Sequence, residues 1–175
     1  MNQTMQDLLT RRSCRKFKPD MVEKELIDQV IEAGLYAPSG KGLQSAKIIA
    51  VTNKELRDKI AEDNRQIGGW DPGFDPFYGA PVILIVVADK SSPMYMYDGP
   101  LAMGNLMNAA HALGLGSIWI HRAKQEFEMP YYQDLLKKLG LEGEYEGIGH
   151  CALGYAAAPA ADPIPRKDDR VFFVD

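Results

Sequence analysis

The chain has 175 residues, 46% hydrophobic and 25% charged, with a formal net charge of −4. That length suits one domain of roughly 100–200 residues, and the balance excludes disorder and fibrous repeats. Two cysteines, Cys14 and Cys151, give no disulfide framework and no zinc-spaced cluster, and the negative charge gives no general pull on nucleic acid. No apolar run approaches the roughly 20 residues of a membrane span, and the stretch from Met1 to Arg12 is too polar for a signal peptide. A single reduced, soluble, cytoplasmic domain over 1–175 is expected, with no nucleic-acid and no membrane partner.

The elements alternate between helix and strand. Asp20, with Glu23 three residues on, resembles a capping box, and Val22, Leu26, Ile27, Val30 and Ile31 recur at helical spacing. Gly34 and then Pro38-Ser39-Gly40 end that helix. Lys47 to Thr52 reads as a strand, and Asn53 caps a helix to about Asn64. From Gln66 to Tyr78 a breaker-rich loop carries Trp70, Phe74, Phe77 and Tyr78. Such a loop is either a cover folded over something or a segment pinned to its own domain by the rings.

Pro81 to Ala88 (PVILIVVA) lacks alternation and predicts a central strand covered on both faces. After Asp98-Gly99-Pro100 a helix runs to about Leu113, apolar nearly all round, which predicts burial on most sides and a subunit interface. Gly114 and Gly116 end it, and Ser117 to Ile120 forms a short strand. A helix from Pro130 carries Leu135, Leu136 and Leu139 to Gly140, and Ile148 to Tyr155 is a further interior strand. The tail from Ala156 is Ala/Pro-rich, then basic at Arg166-Lys167, then apolar at Val171-Phe172-Phe173-Val174. Those last residues are expected to add an edge strand, to dock on the parent domain, or to reach a partner subunit.

The sharpest local signal is Arg11-Arg12-Ser13-Cys14-Arg15. Planar guanidinium forks and a hydroxyl suit phosphate oxygens, and Arg166-Lys167 offers a second basic pair. A solvated basic turn is the alternative. His111, His121 and His150 have no motif spacing, and no nucleophile elbow, Walker loop or dinucleotide fingerprint is present. Cys151 reads as an inert small hydrophobe, and Cys14 has no general base near it in sequence. Anion-binding parts without acid–base machinery suggest a cofactor that brings its own reactivity.

Arg11-Arg12-Ser13-Cys14-Arg15-Lys16-Phe17 resembles the opening motif of the FMN-dependent nitroreductase family. Ala37-Pro38-Ser39-Gly40-Lys41-Gly42-Leu43-Gln44 is similar to its Pro-Ser loop. The stretch from Asp98 through Gly114-Leu115-Gly116 to Ile120 resembles its long helix and following strand, and Gly154-Tyr155 with Arg166-Lys167 its C-terminal segment. The resemblance implies an α+β, three-layer fold with a central, mainly antiparallel sheet flanked by helices, in an intertwined homodimer with FMN at the subunit interface.

By that resemblance Arg11, Arg12, Ser13 and Arg15 hold the phosphate and part of the ring's polar edge, with Arg166 and Lys167 closing on the phosphate. Pro38, Ser39 and Gly40 come from the other subunit, with Gln44 in a supporting role. Backbone groups of Ile120, His121 and Arg122 face flavin N5. Two departures mark this chain: Gly42-Leu43-Gln44-Ser45-Ala46 stands where the family often has Asn and then Gln-Pro-Trp, and His121-Arg122 replaces an acidic–Gly pair. The implied activity is electron transfer from NADH or NADPH to a nitro, quinone or similar small acceptor. A non-catalytic flavin-binding or sensing module and a cofactor-free dimeric scaffold are the other readings.

Overall fold

A computed structural model of the chain describes residues 1–174. Its strands are β1 (Ala46–Val51), β2 (Val82–Asp89), β3 (Gly116–Ile120) and β4 (Tyr145–Gly154), in the sheet order β1-β2-β4-β3 with every neighbouring pair antiparallel. The helices are α1 (Gln3–Thr10), α2 (Lys24–Leu35), α3 (Lys54–Gly68), α4 (Tyr95–Ala112), α5 (Ala123–Phe127) and α6 (Pro130–Lys138).

The layering follows from β2. Successive strand side chains point to opposite faces. On one face Ile83, Ile85 and Val87 join Ile60 of α3, Ala123 and Phe127 of α5, and Tyr132 and Leu136 of α6. On the other, Val82, Leu84 and Val86 join Ile27 and Val30 of α2 and Met103, Leu106 and Ala110 of α4. All six β2 residues are fully buried, and burying a side chain of this size is worth about 1.5–3 kcal/mol. The three-layer α+β architecture expected from the sequence is present, and the run without alternation is the strand covered on both faces.

Several local expectations are corrected. The first helix of the chain is α1, capped by Asn2, whose side chain accepts from Met5 N at 3.0 Å. α2 begins at Lys24, not after Asp20; Glu23 makes no capping bond, because its carboxylate accepts from the Tyr155 hydroxyl instead. α3 keeps its Asn53 cap (Leu56 N, 2.8 Å) but runs on to Gly68, with Gly69 left-handed at its end. α4 starts a turn before Pro100, because Asp98 and Gly99 are buried in its first turns against neighbours. β4 starts at Tyr145, three residues earlier than read, through a bulge that leaves Ile148 between the pairs Val86–Gly149 and Val87–Gly147.

The loop after α3 is pinned to its own domain. Phe77 is fully buried, Asp75 accepts from Phe77 N and Gly79 N and pairs with Arg57, and Arg57 Nε donates to Ala80 O at 2.9 Å. Beyond Tyr155 the chain is held briefly at Lys16–Lys18, by Ala157 N to Lys16 O and Lys18 N to Tyr155 O. Residues 157–174 then form no strand and stay exposed, Phe172 and Phe173 at 82% and 87%. Neither an edge strand nor docking on the parent domain accounts for those apolar residues. Among the described residues, no helix is long and apolar enough to cross a membrane.

Candidate functional site

The segment Arg11–Arg15 lies beside β3. Ser13 forms an isolated parallel bridge with Ser117, and Cys14 N donates to Ser117 O at 3.0 Å. This fixes the basic residues against the start of β3, where Gly114 turns left-handed at φ 77° to end α4. Arg12, Ser13, Cys14, Arg15, Gly116 and the tail's Ala158 help line a cavity of about 510 Å³ there. Arg12 Nη1 also bonds back to Leu9 O and Arg11 O at 2.9 and 2.8 Å, tying off the end of α1.

Arg11 carries the clearest electrostatic signature. Its Nη1 is buried with no hydrogen-bond partner. Burial first, and then the like charge of Arg12, push its pKa below the ordinary guanidinium value. A buried donor left unmade is costly, and two guanidiniums crowded together call for an anion between them. The donors on the cavity, forked cations of Arg12 and Arg15 with the Ser13 hydroxyl, are of the kind that fits the phosphate of FMN, and the orphaned Arg11 N–H lies next to them in the chain. Lys16 and His111 line the same cavity, although neither is among the residues expected to hold the cofactor. His111 Nε2 meets Thr10 Oγ1 at 2.8 Å.

Pro38, Ser39, Gly40 and Gln44 form a second group around Asp98. The Asp98 carboxylate accepts from Ser39 Oγ (3.0 Å), Ser45 Oγ (2.7 Å) and Gly40 N (2.9 Å), and Ser39 Oγ accepts from Gln44 N (2.7 Å). Burial would raise the Asp98 pKa, but the hydrogen bonds from Ser45, Gly40 and Ser39 outweigh it and hold the carboxyl below its usual range. Lys41 and Gln44 sit at φ 56° and 49°, so the loop is tightly wound, and Asp98 is the post to which it is tied. Sequence reading used Asp98 only as a helix start; its 3% exposure gives it this second role.

Ile120, His121 and Arg122 make the turn from β3 into α5. Arg122 is left-handed at φ 82°, unusual for a residue with a side chain. Its guanidinium lies 4.3 Å from the Trp70 ring centroid, and the His121 ring is 5.7 Å from that of Trp119. His121, Arg122 and Lys124 line an open cavity of about 570 Å³ with Ile148. Beneath the turn, Asn64 Nδ2 donates to His121 O at 2.8 Å.

Members of the three groups (Arg12, Ser13 and Arg15; Pro38, Ser39 and Gln44; His121 and Arg122) line separate cavities that share no residue. Arg166 and Lys167 lie in the exposed tail and line none of them. One chain thus brings Arg12, Ser13 and Arg15 to one cavity, with Arg11 beside them. It keeps Pro38–Gln44 apart and leaves Arg166 and Lys167 outside.

A family model described as the nitroreductase family matches residues 8–68 and 70–155. A nitroreductase with bound FMN from Desulfitobacterium hafniense superposes with a TM-score of 0.88 at 27% identity, over 100% of both chains. Another with bound FMN, from Bacteroides fragilis, gives 0.87 at 25%, again over 100% of both. The NAD(P)H FMN reductase of Bacillus subtilis is 31% identical over 140 residues, covering 67% of this chain and 53% of its own length. A Methanothermobacter thermautotrophicus protein is 34% identical over 119 residues, covering 66% of this chain and 59% of its own length. The chain thus spans a little over half the length of these two curated relatives.

Proposed function

The chain belongs to the nitroreductase family, and from that premise we propose that it is an FMN-dependent oxidoreductase moving electrons from NADH or NADPH to a nitro, quinone or similar small acceptor. The observation that carries the reading is the basic cavity lined by Arg12, Ser13, Arg15 and Lys16, with the neighbouring Arg11 Nη1 buried and lacking a hydrogen-bond partner among the described residues. Among the described residues Arg11 Nη1 finds no acceptor, and a phosphate monoester would supply one. Bound FMN would supply two-step hydride and electron transfer, a chemistry that residues of this kind do not supply themselves.

The chain's own residues bind and orient. Arg11 and Arg15 neutralise the phosphate, Ser13 adds a hydroxyl donor, and Arg12 contributes through its backbone. The turn at Ile120–Arg122 presents backbone groups to the redox edge, and Arg166 and Lys167 close on the phosphate from the tail.

The whole of 1–175 acts as one FMN-binding unit within a homodimer. Three features support the second copy: the separate placement of Pro38–Gln44, the exposed Tyr97 and Leu101 on otherwise apolar α4, and the exposed Phe172 and Phe173. A partner would cover those side chains and bring its Pro38, Ser39, Gly40 and Gln44 to this chain's basic cluster. Anaerobic addition of NADH or NADPH to the FMN-loaded protein tests the catalytic reading. Bleaching of the flavin band, and its return on adding a quinone or nitroaromatic, is expected. A flavin that is held but never reduced by either donor would favour the non-catalytic flavin-binding module.

A further inference from the structure

Asn64 on α3, Glu126 on α5 and His150 on β4 are fully buried where α3 meets α5 and α5 packs on β4. Asn64 Nδ2 donates to Glu126 Oε1 at 2.6 Å and to His121 O at 2.8 Å. Glu126 Oε2 and His150 Nε2 lie 2.7 Å apart without in-line hydrogen-bond geometry. His150 Nδ1 faces Ile120 O at 3.4 Å, while the ring packs on Phe77. Two bare lone pairs at 2.7 Å would repel, so one of the two atoms carries a proton. A second proton on Nδ1 completes the contact to Ile120 O. The pair is then neutral overall in either internal arrangement, as full burial demands.

Stability does not explain such a trio, since well-packed apolar replacements of buried ion pairs are often neutral or stabilising. Its geometry does have a local consequence. The carbonyl of His121 is drawn inward by Asn64, and that of Ile120 faces His150, its partner on β4. In a planar trans peptide the C=O and the N–H of the next residue point in opposite directions. The N–H groups of His121 and Arg122 are therefore aimed outward, and neither has a backbone partner among the described residues. The left-handed Arg122, held from outside by Trp70, completes the turn.

We infer that Asn64, Glu126 and His150 are positioning residues: by anchoring two carbonyls they present the His121 and Arg122 N–H groups as fixed donors to the redox edge of the bound flavin. The inference rests on the FMN reading above and adds the device that sets the redox edge. Donors aimed at that edge bind the oxidised and reduced cofactor unequally, so the network is expected to tune the ratio of the two affinities.

The test uses the FMN-loaded protein and compares wild type, Asn64→Leu and Glu126→Gln. Asn64→Leu keeps the branching at Cγ and removes both hydrogen bonds. It is expected to change the oxidised-to-reduced FMN affinity ratio tenfold or more, about 30 mV for a two-electron couple, and to shift the flavin absorption band. Glu126→Gln still accepts from Asn64 and can donate to His150 Nε2, so its ratio should stay within twofold of wild type. Asn64→Ser, too short to reach His121, replaces Asn64→Leu if the latter does not fold and should move the ratio the same way. An Asn64 variant that retains FMN with an unchanged ratio and band would overturn the inference while leaving the FMN reading intact. A Glu126→Gln protein that behaves like Asn64→Leu would overturn the proton-sharing pattern. Wild type without flavin would overturn the FMN reading itself, and the inference with it.

Discussion

Replacing Asp98 probes how the Pro38–Gln44 loop is held. Asp98→Ala removes the acceptor for three donors, of which Ser39 can turn to water while Ser45, at 3% exposure, and Gly40 N cannot do so freely. Each buried donor left unmade costs about 1–3 kcal/mol. Two such donors give about 2–6 kcal/mol, a large part of the roughly 5–15 kcal/mol total of a typical domain. Asp98→Asn keeps one oxygen for Gly40 N and should cost about 1–2 kcal/mol by the same reasoning.

The sign with pH follows from the lowered carboxyl. Its contribution is full above the unfolded value near pH ~3.9 and is lost as pH falls through the lower folded value. Wild type should therefore lose stability below about pH 4 more steeply than Asp98→Asn. Urea unfolding at pH 7, repeated down to pH 3, measures both. Asp98→Ala within about 1 kcal/mol of wild type, or an acid limb unchanged in Asp98→Asn, would refute the tether.

Three other outcomes are expected. Gly147→Ala places a Cβ 2.2 Å from Ala123 O, a backbone atom that cannot step aside, so thermal unfolding should show about 3 kcal/mol of destabilisation; an unchanged melting temperature would show that α5 is free to shift. Burial pushes the Cys151 thiol up to about 12. In the native protein at pH 8 it should resist a thiol reagent and react only after unfolding, so rapid titration of both cysteines would contradict the buried strand. Phe172→Ser with Phe173→Ser should weaken a dimer held by the tail, read by light scattering as a shift toward monomer at low concentration; an unchanged mass would remove the tail from the interface.

The legible parts of the chain were those where local chemistry and tertiary context agree. Asn53 caps α3 as its position suggests, and the unbroken run of β2 announces two covered faces. α1 was missed because Met5, Leu8 and Leu9 are half exposed and give no buried stripe, and α5 because five residues carry no period. Pro100 misled the reading of α4: buried Asp98 and Gly99, whose Cβ would meet Ile148 at 2.5 Å, hold the turn that proline would otherwise end. The basic motif could be read as an anion site because its residues are contiguous. Asn64, Glu126 and His150 could not be joined, since only the packing of α3 and α5 on β4 brings them together.

The most direct measurement is FMN retention: the protein and an Arg11→Ala/Arg15→Ala variant are loaded with FMN, desalted, and read by visible absorption. Wild type is expected to hold about one flavin per chain and, from the loss of two phosphate contacts each worth roughly 1.5–3 kcal/mol, the variant to bind at least 100-fold more weakly. Equal retention by the two proteins, or none by wild type, would contradict that expectation.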